Sequence, residues 1–447
     1  MGGPSGVRRR LPRAMHGRDF SLYVVVVLAM NLAEQMIAVA IGWQVYSIHH
    51  RAFDLGLIGL LEFAPVFLLA IPAGTLVDRI SRRLVLGLSS MLLAAIAAAL
   101  VIVSASGAHE LWPFLTLALG IGVATALSFP AQRAIAPALV VRELLPNALA
   151  IRSVAGQSAN VAGPALGGLL FAIAPTVAYG VALGLFAIAL LAVLGIRSLP
   201  GADPQQEPAP AARPGKLREL LGGIHFIRDT PVLLGAILLD LFAVLFGGAV
   251  ALLPVFAQTI LHTGPVGLGV LRSAPAVGAV FAGVLLVRRP LPTRAGRTLI
   301  VVVVAFGGSM IVFGLSHWIV LSLAALAVSG AVDMVSMNIR ATAVTLVTPA
   351  HVRGRVGSVE AVFIGASNEL GAFESGTAAA LIGAVPAVVA GGALTIAIAL
   401  AWTALFPQLA TLGRLADLRP AGEGPDEDHE RAVALAAAAA ADPLAAA

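Results

Sequence analysis

Of the 447 residues, 59% are hydrophobic and 11% are charged, and the net charge is +5. That charged fraction is about half of what a soluble domain carries, which excludes a soluble globular fold. The chain has no cysteine, so disulfides, thiolate metal sites and cysteine nucleophiles are excluded too.

A basic segment with Arg8, Arg9, Arg10, Arg13 and Arg18 leads into the first apolar run, at 20–48. The run is long and lacks a small-residue cleavage site, so it is expected to remain as a helix rather than leave as a signal peptide. Further runs follow at 55–77, 84–105, 112–133, 146–174 and 176–197. After a break come 231–261, 266–287, 298–315, 318–346, 356–383 and 385–406. Each is long enough to cross a hydrocarbon layer of roughly 30 Å as a helix, the one open-ended structure that satisfies its own backbone in lipid. The expected fold is an all-α membrane protein with twelve transmembrane helices in two pseudo-symmetric six-helix bundles.

Apart from Arg51, the arginines of the connections fall in every second one: before the first run, at Arg79, Arg82 and Arg83, at Arg142, through Arg213 to Arg228, and from Arg288 to Arg297. Positive flanks resist translocation, so both termini are expected in the cytoplasm, in a bacterial-type inner membrane. The basic excess then reflects topology and contact with lipid head groups rather than nucleic-acid binding. No histidine-rich metal site is expected within the membrane, because all nine histidines fall at run ends or in connections. Lys216 is the only lysine and precedes Leu217, so no GxxxxGK[ST] phosphate loop exists. No cofactor is expected, and no nucleophile, metal or acid-base motif marks an enzyme.

The Pro-rich stretch 199–216 lies near the middle of the chain and suits a flexible connection. The expected organisation is an N-terminal segment at 1–19, a first bundle at 20–198, a linker at 199–230, a second bundle at 231–407 and a disordered tail at 408–447. The halves repeat. Glu62 of "LLEFAP" and Arg272 of "VLRSAP" stand 210 positions apart, Arg133 and Arg340 stand 207 apart, and Asn160, Gly163 and Gly168 match Asn368, Gly371 and Gly376 at 208. Parallel repeats with an even helix count describe a transporter built around a midplane site.

"GTLVDRISRRLVL", 74–86, resembles the loop between helices 2 and 3 of the major facilitator superfamily, with Gly74, Asp78, Arg79, Arg82 and Arg83 matching and Ser81 in place of the usual glycine. In that family the motif latches the cytoplasmic ends of the two halves, which the resemblance assigns to Asp78 and Arg82. Arg152 and Glu360, opposite in sign and 208 apart, are expected beside it at a cytoplasmic gate. Gly163, Pro164, Gly167 and Gly168 of "GQSANVAGPALGG" resemble the helix 5 motif of exporters in the superfamily. Physically, small residues let helix 5 approach a neighbour closely and the proline kinks it. "LEFAP", "SFPAQRAIAPALV", "LRSAPAVGA" and "SNELGAFESG" are similar to bacterial drug and siderophore exporters.

A charge near the bilayer centre costs on the order of 3 kcal/mol, so each such residue should face a cavity or a partner. Glu34 is mid-run and shares one helical face with Asn31 and Gln35. The resemblance places helices 1, 4, 7 and 10 around the cavity, and so expects Glu34, Asn31, Gln35, Asp240 and Asp333 to meet substrate or protons. It also sets helix 2 against helix 11 and helix 5 against helix 8. Glu62, Arg272, Gln157, Asn160, Asn368, Glu369 and Glu374 are therefore expected at the contact between halves, with Arg272 near Gln157 and Asn160. The implied function is export of a hydrophobic or amphiphilic small molecule, drug-like or a siderophore, by a monomer surrounded by lipid and working by alternating access, with proton antiport. A lipid or lysolipid flippase on the same scaffold is the alternative.

Overall fold

The structure, a computed structural model, describes residues 17–107, 109–197, 216–288, 293–349, 352–415 and 418, and of 70–79, 142, 216–221, 358 and 361 only the backbone. The first six runs form α1 (Arg18–His49), α2 (Ala52–Arg79), α3 (Arg82–Ala105), α4 (Trp112–Leu139), α5 (Leu145–Ile173) and α6 (Pro175–Gly195). The second six form α7 (Pro231–Gly247 and a broken extension to Ile260), α8 (Gly264–Arg288), α9 (Ala295–Leu315), α10 (Ile319–Val347), α11 (Arg353–Ile382) and α12 (Ala384–Leu405). Ten of these are long and apolar enough to cross a membrane on composition alone. The other two, α5 and α11, are as long but carry the small and polar residues through which the halves meet.

With an even helix count, α1 begins and α12 ends on one side, called here the terminal side. Within the first bundle α1 packs on α5 and α6, α3 on α4 and α6, and α2 on α4. Within the second, α8 packs on α10, α9 on α10 and α12, and α7 on α11 and α12. Between the bundles, α2 meets α11 and α5 meets α8.

Those two seams are tightest away from the terminal side. A Cβ added at Gly168 of α5 would stand 2.4 Å from the Pro265 carbonyl oxygen, and one at Gly376 of α11 would stand 2.8 Å from the Gly56 Cα of α2. Only glycine permits such backbone contact, and dispersion over closely packed backbone is what joins helices in lipid. Phe53 and Phe373 add an edge-to-face ring contact at 6.0 Å on the same seam. Toward the terminal side the seams part, since a Cβ at Gly156 of α5 or at Gly365 of α11 would meet nothing within 4 Å.

Three expectations need correction. Run 231–261 is not one regular helix. After Gly247 it passes through a 3-10 turn at Val250–Leu252 and a π segment at Phe256–Ile260. Gly247 and Gly248 weaken the helix, and Pro254 cannot donate a backbone hydrogen bond. Ser375 donates to the Gly248 carbonyl at 2.8 Å, so a side chain of α11 satisfies the backbone freed at the break.

The linker is not wholly irregular, because Lys216–Asp229 is helical. Its Ile227 is buried among Leu233, Ile237, Val344, Val347, Val356 and Val359. Nor is the tail irregular from 408. Leu409 and Leu415 are buried, and Ala295 and Gly296 donate backbone hydrogen bonds to Gly413 and Leu412 at 3.0 and 3.1 Å. The segment closes the free N–H groups at the start of α9. The end of the tail lies outside the described residues, as do 1–16 and 198–215.

Candidate functional site

At the junction of the bundles, α1 and α2 present Glu34 and Glu62, and α8 and α11 present Arg272 and Glu369. Arg272 lies within electrostatic reach of both Glu62 and Glu369, and Glu62 within reach of Glu34 and Glu369. The four side chains are half-buried. Two carboxyl groups, Glu62 and Glu369, therefore share one guanidinium, with Glu34 beside Glu62, and each half contributes two of the four groups. A Cβ at Gly59 of α2 would sit 3.5 Å from the Glu369 carboxylate, which brings that carboxylate to the α2 surface.

The other residues expected at this seam go elsewhere. Asn160 accepts from Gln35 Nε2 at 3.1 Å and donates to Gln157 Oε1 at 3.2 Å, so this ladder stays inside the first bundle rather than meeting Arg272. Asn368 is exposed and donates to the Ile364 carbonyl of its own helix. Glu374 accepts from Ser375 at 3.4 Å, beside the break in α7. Asn31, expected with Glu34 to meet substrate or protons rather than at this seam, donates to the Val27 carbonyl at 2.6 Å. Local backbone acceptors compete successfully for Asn31 and Asn368, which is why sharing a face with charged residues did not bring these two into the cluster.

The helix 5 motif has a physical role on both its faces. A Cβ at Gly163 would stand 2.6 Å from Gln35 Cβ and one at Gly167 would stand 2.8 Å from Met36 Cα, both on α1. Gly168 faces α8 instead. The motif thus wedges α5 between α1 of its own bundle and α8 of the other.

A second charged node lies toward the terminal side of the second bundle. Asp240 of α7 is buried and paired with Arg340 of α10 at 2.5 Å, and Arg340 Nε donates to Ser336 Oγ at 3.3 Å. Asp333 and Glu360 lie within electrostatic reach of the pair. A small cavity opens between Asp240, Arg340, Glu360 and Phe363. Asp240 therefore stands in an ion pair. In the sequence Arg340 stands out only as the repeat of Arg133, and that offset is the one signal of its importance.

The equivalent place in the first bundle holds Arg133 of α4 and Arg152 of α5, within electrostatic reach of each other. The Arg152 side chain reaches the Tyr23 hydroxyl, which donates to the Gln132 carbonyl at 2.8 Å. Arg152 and Glu360 do not pair in this conformation; each belongs to its own bundle's node. In the loop after α2, Arg82 donates to the Ala134 carbonyl at 3.0 Å, and Arg83 to the Val193 and Leu194 carbonyls at 3.1 and 2.5 Å, all within the first bundle. Ser81 accepts from the Leu84 N–H at 3.3 Å and so caps α3, which gives a reason for serine where the motif has glycine. The backbone at Gly74, Asp78 and Arg79 is helical, and their side chains lie outside the described residues.

Across the far side, Gln258 in the π segment of α7 donates to the Trp43 carbonyl and to Ser47 Oγ of α1, both at 3.1 Å. Sequence reading missed this contact, because it depends on the unwound turn. π segments recur at functional sites since they re-aim a side chain.

The family model described as transmembrane secretion effector matches residues 15–420. The enterobactin exporter EntS of Citrobacter koseri is 27% identical over 325 residues, covering 72% of this chain and 76% of the relative. A bacterial homologue of the human lysosomal transporter Spinster, solved inward-facing and occupied, superposes with a TM-score of 0.69 at 15% identity over 92% of this chain and 99% of that one. A POT family transporter in complex with 5-aminolevulinic acid superposes with a TM-score of 0.70 at 12% identity, covering 88% and 97%. The two superpositions establish the fold and the family match establishes the membership: the chain belongs to the transmembrane secretion effector family, and it is a membrane transporter of the major facilitator superfamily, not an enzyme.

Proposed function

We propose that the chain exports a hydrophobic or amphiphilic small molecule, of drug or siderophore type, in exchange for protons. The observation that carries this reading is the junction cluster. Glu62 and Glu369 share the single Arg272, and Glu34 lies within reach of Glu62, so full ionisation would leave an excess of negative charge in a low-dielectric place, where uncompensated charge is costly. Protons, or a cationic group, must balance it. Because Glu34 and Glu62 belong to one bundle and Arg272 and Glu369 to the other, relative motion of the bundles changes how many partners each carboxyl group has. That couples proton occupancy to access from one side or the other.

Export as the direction is supported by the identity to enterobactin exporters and by the wedge motif of α5. With the termini in a bacterial cytoplasm, the conformation described is open inward, and the seams at Gly168 and Gly376 form the closed outer side. On this reading Arg152, Glu360, Asp78 and Arg82 close the inner side when the outer side opens, and the protein works as a monomer.

The test uses proteoliposomes with a pH-sensitive dye inside, to which amphiphilic candidates and siderophores are added, comparing the native chain with Glu34→Gln and Glu62→Gln. Substrate-dependent proton movement that is lost in the variants, while substrate still binds, is the expected result. Transport that continues unchanged without a proton gradient would remove antiport from the proposal.

A further inference from the structure

The two bundles repeat a charged node with different contents. In the second, Arg340 is neutralised by Asp240 at 2.5 Å, with Asp333 and Glu360 in reach. In the first, the duplicate of Arg340 is Arg133, and the duplicate of Glu360 is Arg152. Helix α1 has no carboxylate at the positions that repeat Asp240, Met30 to Ala33; about two turns earlier it presents Tyr23, whose hydroxyl hydrogen is already given to the Gln132 carbonyl.

Among the described residues, no carboxylate forms a salt bridge with Arg133 or Arg152. Arg133 lies over the Phe129 ring at 4.3 Å, a contact that leaves its charge unneutralised. The Nε of Arg152 is buried and has no hydrogen-bond partner, which for a guanidinium N–H carries a substantial desolvation penalty. Space is open beside the pair. Arg133 is exposed, and a Cβ at Gly156, one turn beyond Arg152, would meet nothing within 4 Å. Two planar cations with unspent donors on the face of a cleft form the pattern that binds oxyanions, since each guanidinium can give parallel hydrogen bonds to paired oxygens.

We propose that Arg133 and Arg152, the latter held by the Tyr23 hydroxyl oxygen, form an anion receptor that takes the carboxylate of an amphiphilic substrate entering from the terminal side. The inference rests on the export reading and narrows its substrate class, because a receptor of this charge disfavours cationic amphiphiles. It also gives the export cycle an order. The substrate anion occupies the arginines while the terminal side is open, and Glu360 takes over that charge when the side closes.

The test is a matched pair of probes, 1-naphthoate and its neutral amide, titrated calorimetrically into purified protein in nanodiscs with empty nanodiscs as reference. One additional hydrogen bond to a charged group corresponds to about tenfold in affinity, so naphthoate should bind the native chain about tenfold or more tightly than the amide. Arg152→Gln and Arg133→Gln should each erase that preference, and Arg152→Lys should keep part of it. Equal affinity for both probes in the native chain, absence of naphthoate binding, or a preference that survives both glutamine variants would overturn the receptor. Binding needs no gradient, so this result is separate from the proton measurement: the receptor can stand where antiport fails, and antiport can stand where the receptor fails.

Discussion

The node of the second bundle and the node of the first occupy duplicated positions, yet one is closed upon itself and the other is not. Arg340 has a buried partner in Asp240 and further acids around it. Arg133 has another arginine. Once desolvated, a closed pair cannot lose one member cheaply, so it serves as a lock between α7 and α10. A pair of like charges at the edge of a cleft is tolerated because water screens it. The difference shows that duplication conserves where side chains stand, while substitution decides whether a position holds the bundle together or waits for a group from outside.

The largest effect should come from opening the lock. Asp240→Asn leaves Arg340 buried without its counter-ion and should cost about 3 to 5 kcal/mol, seen as a lower Tm in thermal unfolding of the purified protein. The double variant Asp240→Leu with Arg340→Met should recover most of that loss, because it removes both desolvated charges together. A loss well under that range would mean that Asp333 or Glu360 takes over the role of Asp240.

A smaller effect, opposite in sign, is expected from making the first node resemble the second. Arg152→Glu should stabilise the bundle by about 1 kcal/mol by pairing with Arg133, and it should abolish naphthoate preference in the probe titration. Unchanged preference would separate anion binding from this node. Tyr23→Phe removes the hydrogen bond to the Gln132 carbonyl and should cost about 1 kcal/mol in the same unfolding assay. Ser81→Gly restores the residue usual in the loop motif and should lower stability by only a few tenths of a kcal/mol, since glycine is also a tolerated helix N-cap. A larger drop would show that Ser81 has a role beyond the cap.

Much of the architecture was legible because lipid imposes a simple rule. Runs such as 20–48 and 84–105 have no alternative to a helix, and α1 and α3 fall on them within a few residues. The repeat offsets brought Glu62 and Arg272 to equivalent places, and the structure finds both at the junction. Legibility failed where backbone competition or unwinding decided the outcome. Asn368 and Asn31 bond to their own helices, and Gln258 reaches α1 only because α7 breaks before it. Offset arithmetic also marked Arg133 and Arg340 as a pair of duplicates without revealing that only one of them has an acid beside it.

The sequence by itself determined that this is a membrane chain of twelve helices in two related halves, because hydropathy, length and charged connections act locally and need no partner to be read. It also determined that the helix 5 glycines would allow close approach. Only the tertiary structure decided which neighbours they approach, Gly163 and Gly167 taking α1 and Gly168 taking α8. It alone decided that Glu62 and Glu369 share Arg272 with Glu34 beside Glu62, that Asp240 is bound to Arg340 and that Arg152 is left with a buried donor unmet. The energy of a charge in a low-dielectric interior depends on the few ångströms to its nearest partner, and that distance is set by packing between helices far apart in the chain.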